Sequence, residues 1–450
     1  MFKRFLLCAL LAAALPALAN PYETTLGNGL RVIVKEDRRA PTAVHMLWYR
    51  VGSMDEVDGR SGLAHMLEHM MFKGTPSVGP GEFNRRVAAG GGRDNAFTSL
   101  DYTAYFQQVP KEKLEAMMQL EADRMRHLSI DPQEFAPERQ VVIEERRQRT
   151  DDDPQAKLFE QMNAVAWQAH PYRRPIIGWM DDLANMSAAD AREWYEQWYA
   201  PNNAYLVVVG DVDHQAVFRL AEQHYGGIAA RVLPSRRAVI EPQQQGERRI
   251  VVKAPAELPL LVMAYKAPVL RDAAKDRDPY ALEMLGAILD GYDAARLGKR
   301  LVREQQIAVQ AGAGYDAMVR GPGLFYLLGS PSPGKTVAEL EAALRGEIAR
   351  IQQEGVSEAE LKRARAQFVA AQIFKLDSMF GQAMEIGASE AAGLSYRDHE
   401  TMLARVQQVS AADVQAAARK YLTDDTLTVG ILDPQPLDGK PRRAPVATRH

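Results

Sequence analysis

Three residues in the run 62–75, GLAHMLEHMMFKGT, are of a type and spacing that can do chemistry: His65, Glu68 and His69. Two histidines four residues apart project from one face of a helix, about one turn apart, so their imidazoles can share a metal ion. Glu68 is badly placed to ligate beside them. It is well placed to hold a water on that metal and take its proton, which is the general-base position of a zinc hydrolase. The alternative is a solvated helix face where these residues meet by chance. The flanking Leu63, Met66, Leu67, Met70 and Phe72 speak against it, because they make the helix a buried one. A buried His–Glu–His cluster needs a counterpart, and a divalent cation is the simplest.

Catalytic zinc takes three protein ligands and keeps a fourth position open. A helix predicted from about 137 to 149 carries Glu138, Glu144 and Glu145 around Val141, Val142 and Ile143. Glu138 and Glu145 are two turns apart on one face, and a carboxylate from that face could complete a His–His–Glu set. Glu144 and the basic run 146–149 read as a solvated face. His45, on a predicted strand over 43–51, reads as a core or surface residue rather than a further ligand.

The surrounding elements follow from periodicity. Strands are expected over 28–36 and 43–51, a helix over 80–89, a hairpin over 93–109 after the triple glycine 90–92, and an amphipathic helix over 111–128. Two segments then repeat. Ser187-Ala-Ala-Asp190 opens a helix followed by a strand from Tyr205, and Ser410-Ala-Ala-Asp413 does the same before Leu427, 223 residues later. The strand 31–35 is echoed at 249–253, an offset of 218. A period this long with mixed content predicts an α+β fold of two tandem homologous domains, each a mostly antiparallel sheet packed with helices. The expected boundaries are 20–232 and 248–438, joined by a Pro-, Gln- and Arg-rich linker at 233–247, with a disordered tail at 439–450. The second copy has no histidine at 278–289, so the chemistry belongs to the first.

Composition narrows the setting. The chain has 450 residues, 46% hydrophobic and 25% charged, with a net charge of −3, an ordinary globular balance with no suggestion of nucleic acid or an anionic membrane surface. Residues 1–19 combine Lys3 and Arg4, an apolar run and Ala17-Leu18-Ala19, a cleavable secretory leader that predicts export to the periplasm. No later run is long enough to span a bilayer as a helix, and no membrane insertion is expected. The single cysteine, Cys8, falls in the leader, so any zinc in the mature chain would be held by nitrogen and oxygen.

These motifs resemble the pitrilysin/insulinase family of inverted-motif zinc peptidases, particularly the short-chain branch that includes mitochondrial processing peptidase. The resemblance runs from about 21 to 434 and rests on H-x-x-E-H followed by Phe72-Lys-Gly-Thr75 and on Val142-x-x-Glu145, 76 residues after His69. It implies one Zn2+ per chain held by His65, His69 and Glu145, with Glu68 as catalytic base and Glu138 as a supporting acid. It also implies an edge strand in which Asn95, Ala96, Phe97 and Thr98 take an extended peptide by β-augmentation. One departure stands out. Active members use an Arg and, seven residues on, a Tyr from a C-terminal-half domain, whereas Val302 and Val309 fill those places, with Arg303 and Tyr315 as the nearest substitutes. The expectation is therefore a zinc endopeptidase for short or unfolded peptides, one subunit of a dimeric clamshell. Its partner would be a homologous subunit carrying the Arg/Tyr pair, or else a second copy. The alternative is a non-catalytic scaffold subunit of the same fold.

Overall fold

The computed structural model describes residues 21–437, so the expected leader and tail lie outside the described residues. The first half forms a six-stranded sheet from β1 (Tyr22–Thr25), β2 (Arg31–Glu36), β3 (Thr42–Tyr49), β4 (Arg93–Thr98), β5 (Thr103–Pro110) and β6 (Ala204–Gly210), in the order β1-β2-β6-β3-β5-β4. The second forms a five-stranded sheet from β7 (Arg248–Pro255), β8 (Leu260–Ala267), β9 (Ala308–Tyr315), β10 (Gly323–Pro331) and β11 (Leu427–Gln435), in the order β7-β11-β8-β10-β9. Without β1 the two orders correspond strand for strand. In each sheet one pair is parallel, β2 with β6 and β7 with β11, and the other pairs are antiparallel. The molecule is thus a two-domain α+β structure with an internal repeat.

The site and its frame depend on α1 (Leu63–Met70), α2 (Pro132–Arg146), α3 (Pro154–Ala166), α4 (Ala188–Trp198), α5 (Asp278–Asp290), α6 (Met379–Ala391) and α7 (Ala411–Tyr421). The two repeat segments open α4 and α7, each with a full capping box, Ser187 with Asp190 and Ser410 with Asp413. The expected helix start near Pro137 is corrected: α2 begins at Pro132, where Asp131 caps the chain by accepting from Gln133 N–H. Both prolines could open a helix, and the aspartate decides between them. Pro137 is then carried inside the helix, which ends in a π-helical turn, Arg147–Asp151.

Strand β6 is buried along its whole length, as a near-continuous apolar run demands of a strand covered on both faces. On one face of the first sheet lie its own helices. The other face, with Val44, Met46, Trp48, Tyr205 and Val207, is covered by Met379, Ala383 and Ile386 of α6, from the other half. The converse holds as well: Leu158, Met162 and Ala166 of α3 cover Val252, Leu260, Val262 and Leu432 of the second sheet. Each half therefore closes the other's core. Between them residues 229–245 carry no regular element. Within that stretch the Glu241 carboxylate accepts from the N–H groups of Gln168, Ala169 and His170, each at 2.9 Å, and pairs with Lys266 of β8 at 2.7 Å.

Candidate metal centre

All eight residues of α1 are buried. Its start is held by Glu56, which accepts from Gly62 N–H and Ala64 N–H, both at 2.9 Å. Gly62 has φ 88°, and a Cβ there would meet Ile177 O at 2.6 Å, so the helix can enter at this point only through glycine. From this fixed start His65 and His69 stand one turn apart, ring centroids 4.8 Å apart.

Helix α2 brings Glu145 against them. Its Oε2 lies 3.3 Å from His69 Nε2 and 3.8 Å from His65 Nε2. Two donors each about 2.0–2.2 Å from a tetrahedral zinc sit roughly 3.3–3.6 Å apart, so the trio fits that ion with little adjustment. The donor set, two imidazoles and a carboxylate, is one that catalytic zinc sites use. Among the described residues one other trio, Glu36, Asp213 and His214, has ligand atoms within 4.8 Å of one another. There Asp213 already caps Ala216 N–H and His214 Nδ1 already bonds Glu36 at 2.8 Å.

Glu138 shares the Glu145 face of α2, two turns earlier, and bonds His69 Nδ1 at 2.8 Å. Nδ1 then donates to Glu138, which leaves Nε2 as the ring nitrogen that faces Glu145 and would serve as the metal donor once it loses its own proton. Lys73 pairs with the other Glu138 oxygen. Burial alone would lower the His69 pKa, but the hydrogen bonds and charges of Glu138 and Glu145 outweigh it and raise the imidazole to about 9. Burial would likewise raise Glu145, yet His69, His65 and Arg149 hold it down at about 2. A proton on His69 thus stands in for a cation between two ionised carboxylates.

Glu68 is buried, and burial pushes its carboxyl above the ordinary value against the opposing hydrogen bond from Thr98. That bond, Thr98 Oγ1–H to Glu68 Oε2 at 2.5 Å, joins α1 to β4, the edge strand of the first sheet. Ala96 shares the face of Thr98. Asn95 is exposed, its Oδ1 accepting from Ala96 N–H at 2.9 Å. The Phe97 ring turns to the opposite face, edge-on to Trp48 at 5.9 Å, so only the strand's backbone at this residue faces the open edge. A cleft of about 540 Å³ runs past His65 and Glu68 along Asn95–Thr98, and Arg149, Ala156, Asn163 and Ile177 form its far wall. Every residue lining it lies between 65 and 177.

The second-half residues stand elsewhere. Val302 packs against the second core and Val309 is 43% exposed. Arg303 donates to Asp293 O at 2.7 Å, and the Tyr315 hydroxyl donates to Pro268 O. His45 is buried between Gln107, at 2.7 Å, and the Tyr225 hydroxyl, at 2.9 Å. Sequence reasoning missed two residues, Lys73 on Glu138 and Arg149 on Glu145. Each lies four residues after a proposed ligand, Arg149 on the same helical face and Lys73 just past the end of α1, a spacing that could have drawn attention.

Two family models match the chain, and they meet near residue 180, ahead of α4 and β6 of the first half. Residues 31–179 match the family model described as Insulinase (Peptidase family M16), and residues 185–368 match the one described as Peptidase M16 inactive domain. The zinc protease PqqE of Helicobacter pylori is 32% identical over 419 residues, covering 91% of this chain and 92% of that protein. The crystal structure of a protease from Helicobacter pylori superposes with a TM-score of 0.87 at 30% identity, over 92% of this chain and 100% of that one. The periplasmic protease PqqL of Escherichia coli shares the fold, with a TM-score of 0.80 at 20% identity, over 94% of this chain and 48% of that one.

Proposed function

The chain belongs to the insulinase family of M16 peptidases, and on that premise we propose that it is a zinc-dependent endopeptidase for short or unfolded peptides, exported to the periplasm. One observation carries the reading: a ligand trio of zinc geometry reaches, through His65, a cleft that is also bordered by the buried Glu68 carboxylate and an open strand edge. His65, His69 and Glu145 would hold the ion. When bound, zinc lowers the pKa of a water to about 7 and polarises the scissile carbonyl. The Glu68 carboxylate takes the proton of the attacking water and returns it to the leaving amine, a role suited to a carboxyl whose pKa burial has raised. Thr98 keeps that carboxylate aimed by its hydrogen bond, and Glu138 keeps the His69 tautomer. The edge of β4 binds the peptide main chain, which makes recognition tolerant of sequence.

The activity belongs to a dimer with a homologous subunit that supplies the Arg and Tyr. Val302 and Val309 cannot donate a hydrogen bond from their side chains, while Arg303 and Tyr315 are engaged with backbone carbonyls of their own half. Loss of one donor to a developing oxyanion costs on the order of a hundredfold or more. The test is hydrolysis of an unfolded reporter peptide by the purified chain, alone and mixed with such a homologue, before and after chelation and zinc restoration. The expected result is weak, chelator-sensitive cleavage alone and a rise of about a hundredfold or more on mixing. No cleavage in any mixture defeats the peptidase reading, and full activity alone defeats the requirement for a homologous partner.

A further inference from the structure

We infer that Arg149 is a positioning residue for the metal centre: it occupies Glu145 Oε1 and leaves Oε2 as the one carboxylate oxygen directed at the histidines. The inference rests on the assignment of His65, His69 and Glu145 as metal ligands. Three observations carry it.

First, the two oxygens of Glu145 are divided between partners. Oε2 faces His69 Nε2 at 3.3 Å and His65 Nε2 at 3.8 Å, whereas Oε1 is ion-paired with the Arg149 guanidinium. The Glu145 side chain is 3% exposed, so this division is not left to solvent. Second, Arg149 is 60% exposed and forms part of the cleft wall beside His65 and Glu68, a place where a basic side chain could as well have pointed into water. Third, it springs from the π-helical turn Arg147–Asp151, a widened turn of the kind that recurs at functional sites. That turn is anchored by other groups. Arg146 holds Glu160 at 2.7 and 2.9 Å and Gly178 O at 2.8 Å, Arg147 holds Glu144 at 3.3 Å, and Asp152 N–H bonds Arg147 O at 2.7 Å. Of these three arginines, Arg149 is the one directed at Glu145.

The physical consequence concerns the open coordination position. A carboxylate with both oxygens turned toward a divalent ion can bind through both, and so fill the place that a hydrolytic centre keeps for water and substrate. A guanidinium on Oε1 removes that option by holding this oxygen in a close ion pair. It also draws electron density from Oε2, which weakens the anion as a donor and leaves a bound ion more electrophilic. Arg149 therefore acts through Glu145 rather than on the peptide.

The experiment compares the full-length wild type, Arg149→Ala and Arg149→Lys, stripped of metal and reloaded with cobalt(II) for visible spectroscopy or with zinc for peptide hydrolysis. Arg149→Ala is expected to take up one cobalt, with a weaker and shifted visible band as the coordination number rises. Its kcat should fall about 10–100-fold, with KM changed by less than about twofold. Arg149→Lys should recover most of the band and of the rate. A wild-type cobalt band in Arg149→Ala overturns the inference, whether the rate is unchanged or lost through KM. Failure of the wild type itself to take up cobalt overturns the ligand assignment as well, and is seen before any variant is compared.

Discussion

In the first half of the molecule the helix after β3, α1, buries His65, Glu68 and His69, whereas in the second half the helix after β8, α5, buries Tyr280, Leu282, Met284, Leu285 and Ile288 and contains no histidine. The sheets beneath them have the same strand order. Burying imidazole and carboxylate is costly unless each is paired, and around α1 the pairing is visible: Glu138 and Lys73 behind His69, Thr98 on Glu68, Arg149 on Glu145. Around α5 the buried face is filled by apolar packing instead. The contrast separates what the fold requires, a buried helix over the sheet, from what the chemistry adds, and it shows that the added groups come as a connected set.

The strongest way to break this contrast is to replace one acid in each half. Glu68 and Glu283 lie on corresponding helices, and burial is the leading cause of a raised pKa in both; Glu283 reaches about 8, with Asp316 adding to the effect. Glu68→Gln should lower kcat by about 10²–10⁴-fold while leaving the metal content intact. Glu283→Gln should leave kcat within about twofold. Steady-state kinetics on the active form decides between them, and equal losses would mean that the second half takes part in the chemistry.

Next in size is the packing of the exchanged helices. A Cβ at Gly387 of α6 would meet the Trp48 ring at 2.0 Å, against 3.1 Å between one at Gly430 of β11 and Leu158 Cδ1. Gly387→Ala should cost about 3 kcal/mol or more and Gly430→Ala less than about 1 kcal/mol, because a leucine tip can yield where a clamped indole cannot. Denaturant unfolding measures both. Since each half closes the other's core, Gly387→Ala should shift a single transition rather than split it, and a split would show that the halves are independent.

The smallest effect sharpens the comparison at the segment between the halves. Burial alone would raise the pKa of Glu241, but three backbone N–H groups and Lys266 outweigh it and bring the carboxyl to about 2, below its ordinary 4.5. A depressed carboxylate pKa contributes stability that is present above about 4.5 and lost as pH falls through about 2. Glu241→Gln should therefore cost about 1–2 kcal/mol at neutral pH and flatten the loss of stability between pH 5 and 2. Thermal melts across that range measure it, and parallel curves for the two proteins would count against a stabilising role for the Glu241 contacts.

Much of the frame was legible because its signals are local. The two Ser–x–x–Asp openings are capping boxes in the structure, and the β-branched strands together with the repeat pointed to two sheets. His65, Glu68 and His69 were legible for the same reason, being fixed by a single helical turn. Glu145 needed a family resemblance, since nothing in a helix of three glutamates says which one meets a second helix. The reach of Thr98 to Glu68, 30 residues away, and the exchange of α3 and α6 are long-range contacts with no local pattern. Pro137 misled because a proline inside the second turn looks like a proline at the first.

The most direct test of the metal centre is the zinc content of wild type, Glu68→Gln and Glu145→Gln after equal dialysis against a weak chelator, read by elemental analysis with circular dichroism as a check on folding. One zinc per chain is expected in the wild type and in Glu68→Gln, and a large loss in folded Glu145→Gln, which gives up a charged ligand. Folded Glu145→Gln that retains a full equivalent of zinc would contradict the assignment of His65, His69 and Glu145 as the ligand set.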